Sequence, residues 1–187
     1  MVTATLMTAA EFEQMPDGER FELVNGALQE MTPTGGRHGR LAGRLTKSIM
    51  DYLEVNQVGE LYIESGFIIA KQPDTVLAPD VAVVRMDRLL TEEQQIGFLD
   101  QVPDLAVEIV SPGDRIGKIL GKAAIYLEAG TPVVWAVDPQ KQRVMIWSDI
   151  QPVQVLGPND TLDGGDLLPG FQLPLADLFG RREPDVR

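Results

Sequence analysis

The segment DLAVEIV at residues 104–110 is an apolar run that is interrupted internally by one acidic residue, Glu108. A run of this length and composition predicts a buried β-strand. Residues 117–129 carry apolar side chains at helical spacing until Gly130 and Pro132, so a helix is predicted there. The segment VVWAV follows and predicts a second buried strand. Buried strands on either side of a helix indicate a protein of the α/β or mixed α+β class.

The pattern extends towards the N-terminus. DVAVV at residues 80–84 predicts another buried strand, and KQPDTVLAP before it is predicted to be a loop. A helix is predicted from about His38 to Val55, and residues 87–103 are polar and irregular, typical of a flap or a short helix. The predicted buried stripe of the long helix consists of Leu41, Leu45, Ile49, Tyr52 and Leu53.

A β-hairpin is predicted near the N-terminus. Asn25 and Gly26 stand between alternating apolar residues, and both turn positions of a two-residue hairpin need positive φ. In such a hairpin Glu22 faces Gln29 across the strands. Residues 8–15 predict a short helix with a capping box before it. We therefore expect one domain over residues 1–187, with a central sheet, helices on both its faces and an N-terminal hairpin.

The composition indicates an ordinary globular protein, with 44% apolar and 24% charged residues. The sequence has no cysteine, no apolar run that could span a membrane and no secretory pattern, so we expect a cytoplasmic protein. The net charge of −12 is unfavourable for nucleic-acid binding. However, four basic residues lie at helical spacing and could form either a nucleic-acid contact or a solvated helix face: Arg37, Arg40, Arg44 and Lys47.

Three charged residues occur within otherwise apolar elements. Asp80 opens one predicted buried strand, Glu108 lies in another, and Lys122 borders the apolar arc of the helix that follows. Buried charges are costly unless they are paired or bind a metal. Two carboxylates can hold Mg²⁺ through oxygen, and a lysine can orient water or stabilise negative charge on phosphorus. Individually, Asp80 could be a turn residue, Glu108 could pair with an arginine, and Lys122 could extend to solvent.

Two further side chains are candidates for the same site. Glu22 lies on the hairpin beside small apolar neighbours, where it could assist as a metal or water ligand or simply lie at the surface. His38, the only histidine, could contact phosphate near a helix start or could be a capping or packing residue. Ser111 is interpreted as part of a strand end rather than a nucleophile, because no nucleophile-elbow motif surrounds it.

At these residues the chain resembles the Uma-two-like restriction endonuclease family of the PD-(D/E)XK nuclease superfamily. The resemblance covers nearly the whole chain, and the order and spacing of the motifs make it specific. The motifs are FELVNGAL, His38-Gly39, PDVAVV, PDLAVEIVSPGDR, KAAIYLEAGTPVVWAVDP and LPGF.

The resemblance implies a restriction-endonuclease-like core with a four-stranded mixed sheet. It implies metal ligation by Asp80 and Glu108 with help from the Ile109 carbonyl, and it matches Glu22 to an early glutamate of the family. The superfamily lysine is expected two residues after the glutamate, where this chain has Val110. The resemblance implies that Lys122 supplies it from the next helix, with Lys118 as the alternative.

The sequence therefore predicts a DNA endonuclease that depends on Mg²⁺ or Mn²⁺, with Asp80, Glu108, Lys122 and Glu22 as catalytic residues. A homodimer is expected by analogy with small nucleases that cut both strands. Arg37, His38, Arg40 and Arg44 are the candidate nucleic-acid-binding residues. Two alternatives remain open, namely a nuclease fold without activity that serves as a binding module, and a metal-dependent hydrolase of small phosphoesters.

Overall fold

The computed structural model describes residues 6–111, 116–148 and 151–180. Within these ranges the chain forms a mixed α/β domain, which confirms the predicted class. Its α-helices are α1 (Ala9–Glu13), α2 (Gly36–Asn56), α3 (Ile116–Glu128) and α4 (Leu175–Phe179). Its strands are β1 (Phe21–Val24), β2 (Ala27–Glu30), β3 (Gly59–Ile63), β4 (Phe67–Ala70), β5 (Thr75–Leu77), β6 (Val81–Arg85), β7 (Leu105–Ile109), β8 (Val133–Asp138), β9 (Arg143–Ser148), β10 (Gln151–Leu156), β11 (Thr161–Asp163) and β12 (Gln172–Pro174).

The central sheet has six strands in the order β10-β9-β8-β7-β6-β3. It is mixed, because β7 and β8 are parallel while the other neighbours are antiparallel. Helix α3 connects the two parallel strands, as the spacing of their apolar segments requires. The sheet has two strands more than the resemblance implied. Residues 112–114 of the predicted strand end SPGD lie outside the described residues.

A second sheet of four strands contains the N-terminal hairpin, in the order β2-β1-β5-β4. The hairpin prediction is confirmed, with positive φ at Asn25 and Gly26 and with Glu22 opposite Gln29. The central mixed sheet is present as predicted, and the hairpin belongs to this second sheet. The prediction of a loop over residues 71–79 was wrong in part. The predicted loop KQPDTVLAP contains β5, which pairs with β1 through Leu23 and Val76. Pairing with a strand some fifty residues away overrides the turn residues on either side.

The two long helices pack on opposite faces of the six-stranded sheet. The side of α2 that carries Leu41, Leu45, Ile49 and Leu53 packs against Val81, Val83, Leu105 and Val107 of one face. The opposite face presents Ala82, Val84, Ala106 and Val134 to Ala123 and Tyr126 of α3. The predicted helices are present, and the predicted buried stripe of α2 is confirmed except that Tyr52 is only partly buried. The apolar arc of α3 is buried at Ile119, Ala123 and Tyr126, whereas Leu120 and Ala124 are exposed.

The remaining segments agree in part with their predictions. The capping box before α1 is present, with Thr8 and Glu11 bound to each other's backbone. The region predicted as a flap or short helix forms two short 3₁₀ helices, Met86–Arg88 and Glu92–Gln95. No helix in the parts of the chain that the structure describes is both long enough and apolar enough to cross a membrane.

Strand geometry determines where the acidic residues point. Side chains alternate between the two faces of a strand, so Glu108 lies on the same face as Ala106. Asp80 immediately precedes β6 and shares the face of Ala82. This is the face that α3 covers. The Glu108 carboxylate accordingly meets Lys122 of α3, whereas the Asp80 carboxylate contacts the backbone N–H of Ile109 and the ring of His38 on α2.

Candidate active site

Four charged side chains from four separate elements meet at one end of the sheet. Glu22 comes from β1 of the second sheet, Asp80 from the residue before β6, Glu108 from β7 and Lys122 from α3. Of the three residues expected to converge, Lys122 and Glu108 are in direct contact, and Asp80 binds the backbone N–H of Ile109, the residue after Glu108. Their roles in catalysis stay predictions that these contacts make testable.

Lys122 lies between two buried glutamates. Its Nζ is 2.6 Å from Oε1 of Glu108 and 2.9 Å from Oε1 of Glu22. Glu22 is 3% exposed, so it does not lie at the surface, and its Oε1 also accepts a hydrogen bond from the backbone N–H of Ala78. The partner of Glu108 is this lysine rather than an arginine. Lys122 itself is 12% exposed at the side chain, so its ammonium is directed inwards.

Tyr126 completes the surroundings of Glu108. Its hydroxyl donates a hydrogen bond of 3.0 Å to the same Oε1 that contacts Lys122. Tyr126 follows Lys122 by one helical turn, which places both side chains on one side of α3. In the sequence, Tyr126 is one member of the apolar arc that Lys122 borders. Its hydroxyl could have been recognised, because a fully buried tyrosine nearly always needs a hydrogen-bond partner.

The cluster has an excess of negative charge, and its pKa values reflect this. Burial raises the pKa of Glu108 to about 7, with Asp80 and Glu22 adding to the rise and Lys122 opposing it. Burial acts to lower the pKa of Lys122, but the adjacent Glu108 and Glu22 carboxylates outweigh it and raise that pKa. Burial, together with the same glutamates, raises the pKa of Tyr126. Lys122 therefore stays a cation and Tyr126 a neutral donor at ordinary pH.

Asp80 is held from two directions. Its Oδ2 accepts a 2.6 Å hydrogen bond from the backbone N–H of Ile109, and its Oδ1 lies 2.9 Å from Nε2 of His38. Nδ1 of His38 is 3.2 Å from Oγ of Ser111. The hydrogen bond with Asp80 raises the pKa of His38, against a smaller effect of burial. The sequence did not predict that these three side chains meet.

The oxygen atoms at this end of the sheet suit a hard divalent cation. Asp80 and Glu108 supply carboxylates, and the carbonyl of Ile109 points to the side of β7 on which Asp80 lies, because the N–H and C=O of one strand residue share a direction. Across the three described ranges, no three histidine or acidic side chains form a cation site by themselves. A cation held here would therefore have two carboxylates and one backbone carbonyl as its protein ligands.

The candidate nucleic-acid-binding residues are not all placed alike. Arg37 and Arg40 are exposed on the first turns of α2. Nη1 of Arg44 donates to the backbone carbonyls of Leu178 at 2.8 Å and of Gly180. His38 is 5% exposed, and its ring lies behind Asp80 rather than beside the two exposed arginines.

The two other lysines that the sequence singled out, one on the basic face of α2 and one on α3, are placed differently. Lys47 forms an ion pair of 2.6 Å with Asp51 on the same helix. Lys118, the alternative to Lys122, is exposed one turn earlier on α3. Lys122 is therefore the lysine whose ammonium the structure brings between the two glutamates.

A cavity of about 560 Å³ opens beside Glu22 and Asp80. Among its described lining residues Arg20 is the one basic side chain, and it is paired with Glu30 at 3.0 Å. Other acidic lining residues are Glu13, Glu19 and Glu64, and the aromatic ones are Phe12, Phe21 and Phe98. The cavity therefore gives access to Asp80 and Glu22 through an acidic opening with aromatic walls, and Glu108 is not among its lining residues.

The raised pKa of Glu108 predicts a pH dependence of stability without divalent cations. In the unfolded chain this carboxyl loses its proton near its ordinary pKa of 4.5, whereas in the folded protein it does so near 7. A raised folded-state pKa stabilises the fold below 4.5, and that contribution is lost as pH rises to 7. The free energy of unfolding of the wild type, relative to Glu108→Gln, should therefore fall between pH 4.5 and 7 and be level outside that window.

Urea denaturation in EDTA across pH 4–9 measures this difference. Using the difference between two proteins removes the titration of carboxyls that are far from the site. A difference that stays constant over the whole range would show that the folded protein does not raise the pKa of Glu108.

Comparison with known proteins agrees with the resemblance seen in the sequence. The sequence model of the Uma2 family, described as "Putative restriction endonuclease", matches residues 9–176. No curated protein matches the chain. A solved structure matches with a TM-score of 0.80 and 23% identity over 92% of this chain and 97% of the other. It is the crystal structure of a "putative nuclease belonging to DUF820" from Anabaena variabilis ATCC 29413, and at this identity the likeness shows the fold alone. The family match covers most of the sequence, so the chain belongs to the Uma2 family, whose description supports a nuclease-type function.

Proposed function

We propose that the chain is a DNA endonuclease that hydrolyses phosphodiester bonds with the help of Mg²⁺ or Mn²⁺. The observation that carries this proposal is the position of Lys122, whose Nζ lies 2.6 Å from Glu108 and 2.9 Å from Glu22, with Asp80 bound to the backbone next to Glu108. The description of the Uma2 family and that of the solved relative point to the same class of reaction.

The residues that would hold the cation are Asp80 and Glu108, with the carbonyl of Ile109. When bound, such a cation polarises a phosphate and lowers the pKa of a coordinated water. The protein contributes a rigid setting, since Asp80 is fixed by Ile109 N–H and Glu108 by Tyr126 and Lys122. Three carboxylates against one ammonium leave the cluster with net negative charge, which favours a cation.

Lys122 acts in this proposal as a fixed positive charge. Its raised pKa keeps the ammonium protonated, so it donates hydrogen bonds and does not accept a proton from water. An ammonium held next to a reacting phosphate stabilises the negative charge that develops on its oxygens. Glu22 assists by holding this ammonium together with Glu108.

DNA contact in this proposal rests mainly on Arg37 and Arg40, which are exposed. The guanidinium of Arg44 donates hydrogen bonds to backbone carbonyls at the end of α4, and His38 is buried inside the site. We further propose that the protein acts as a homodimer, because cutting both strands of a duplex calls for two such sites.

A second candidate is a metal-dependent hydrolase of small phosphoesters. The cavity beside Asp80 favours it, because about 560 Å³ is within the usual size of a small-molecule pocket and its lining is largely acidic. An acidic lining repels the phosphate backbone of a long nucleic acid more than it repels one phosphoester.

Cleavage of supercoiled plasmid tests the first candidate against the second. The purified protein is incubated with Mg²⁺, Mn²⁺ or EDTA, and bis(p-nitrophenyl) phosphate serves as the small substrate. We expect nicked and linear plasmid with either cation and none in EDTA. Hydrolysis of the small ester without plasmid cleavage would favour the second candidate. Absence of cation binding near Asp80 together with absence of plasmid cleavage would favour the binding module without activity.

A further inference from the structure

His38, Ser111 and Asp80 form a hydrogen-bonded chain behind the carboxylates. Nε2 of His38 is 2.9 Å from Oδ1 of Asp80, and Nδ1 is 3.2 Å from Oγ of Ser111. His38 and Ser111 are each 5% exposed, whereas the side chain of Asp80 is 15% exposed and lines the cavity. The chain thus runs from the interior to the one member that a ligand can reach.

The chemistry of the three groups fixes the direction of this chain. An ionised carboxylate only accepts hydrogen bonds, so Nε2 of His38 must donate to Asp80. In a neutral ring the other nitrogen, Nδ1, is then an acceptor, and it accepts from the hydroxyl of Ser111. One tautomer, protonated at Nε2, satisfies both contacts.

We propose that His38 and Ser111 are positioning residues that orient the Asp80 carboxylate for a divalent cation. This inference rests on the proposed function. Ile109 N–H fixes Oδ2 of Asp80 and His38 fixes Oδ1, so the carboxylate plane is held at both oxygens. Hydrogen-bond partners of this kind orient metal ligands, and their loss typically costs about 10–100-fold in metal affinity.

The same three residue types occur in serine hydrolases, but their placement here indicates a different role. A serine that is 5% exposed and packed behind Asp80 cannot reach the phosphodiester of a nucleic acid. The exposed end of the chain is the carboxylate, not the hydroxyl. The arrangement therefore orients the Asp80 carboxylate rather than activating the Ser111 hydroxyl.

Two amide substitutions at His38 separate positioning from packing. The side-chain amide of His38→Gln reaches the place of Nε2 and keeps a donor to Asp80, whereas that of His38→Asn reaches only the place of Nδ1 and keeps the contact with Ser111. We expect Mn²⁺ affinity, measured by calorimetry, to fall about 10-fold or more in His38→Asn and to stay within about threefold of wild type in His38→Gln. Ser111→Ala should weaken Mn²⁺ binding less than His38→Asn, because the direct donor to Asp80 remains.

A spectroscopic measurement that needs no metal tests the direction of the chain. His38 is the only histidine, so long-range ¹H–¹⁵N correlation spectra of the labelled protein contain one imidazole. Above the pH at which the ring titrates, we expect the Nε2–H tautomer in the wild-type protein. Thermal denaturation of the His38 and Ser111 variants serves as the control that each of them is folded.

The Nδ1–H tautomer, or a folded His38→Asn variant with wild-type Mn²⁺ affinity, would overturn the positioning role and leave the proposed function intact. A wild-type protein that binds no Mn²⁺ at all would overturn both. The two failures are therefore distinguishable.

Discussion

Replacing Lys122 by methionine is expected to lower plasmid cleavage by about 10²–10³-fold, the usual cost of removing one preorganised group that stabilises developing negative charge. The same change should destabilise the fold at pH 8 by about 3–5 kcal/mol, because it leaves Glu22 and Glu108 buried without their shared cation. Methionine keeps most of the aliphatic volume of the lysine, so the loss reports on charge rather than on packing.

The stability loss of Lys122→Met should also depend on pH. Without the ammonium, the folded-state pKa of Glu108 rises further, so the variant gains stability relative to pH 8 once this carboxyl takes up a proton. Urea denaturation at pH 6 and pH 8, in EDTA, measures the effect. Lys141→Met, in the exposed β8–β9 turn, is the control for loss of a lysine.

Other results for the lysine variants would change which lysine is assigned to catalysis. Full cleavage by Lys122→Met would remove Lys122 from the mechanism. Loss of cleavage in Lys118→Met alone would transfer the role to that lysine. A variant that is as stable as wild type at pH 8 would mean that Glu22 and Glu108 are not held as a buried pair around the ammonium.

Replacing Asp80 by asparagine is expected to reduce Mn²⁺ affinity and cleavage by more than about 100-fold, since loss of a ligand should exceed the cost of losing a partner of that ligand. Asparagine has nearly the same shape, and its amide oxygen can accept the hydrogen bond from Ile109 N–H. Its NH2 group can then donate to Nε2 of His38 once the ring takes the Nδ1–H tautomer, whose proton the hydroxyl of Ser111 can accept. The thermal midpoint should therefore change little, in contrast to Lys122→Met. Calorimetric titration with Mn²⁺ and the plasmid assay provide the two readouts.

Asp166→Asn is a matched control for this substitution, because Asp166 is an exposed aspartate of the β11–β12 loop and is not one of the candidate site residues. Wild-type Mn²⁺ affinity in Asp80→Asn would show that Asp80 is not a ligand. Wild-type affinity combined with lost cleavage would assign Asp80 to substrate rather than to the cation.

The sequence predicted the site where local pattern and burial agree. Asp80 and Glu108 stand in apolar strands, and Lys122 lies at the edge of an apolar helix face, so each was recognisable as a charge in a buried element. The hairpin was predicted for a similar reason, because the Asn25-Gly26 turn is a local feature. The resemblance added the order of these motifs along the chain.

Local sequence patterns could not predict the contacts between residues that are far apart in the chain. The second sheet forms because β5 pairs with β1, and neither segment specifies the other by its own sequence. The alternation along β1 shows which residues share a face with Glu22, but it does not show that Lys122 of α3 pairs with Glu22. The meeting of His38 with Ser111, over seventy residues away, depends on how α2 packs across the end of β7.

The central claim is that Asp80, Glu108 and the carbonyl of Ile109 share one divalent cation beside Lys122. Crystals grown with Mn²⁺ and measured near the manganese absorption edge test it most directly, since anomalous scattering locates the ion without assumptions about its ligands. The account predicts a peak within about 2.6 Å of an oxygen of Asp80 and of Glu108. A fully occupied Mn²⁺ elsewhere in the protein, with none between these two carboxylates, would contradict it.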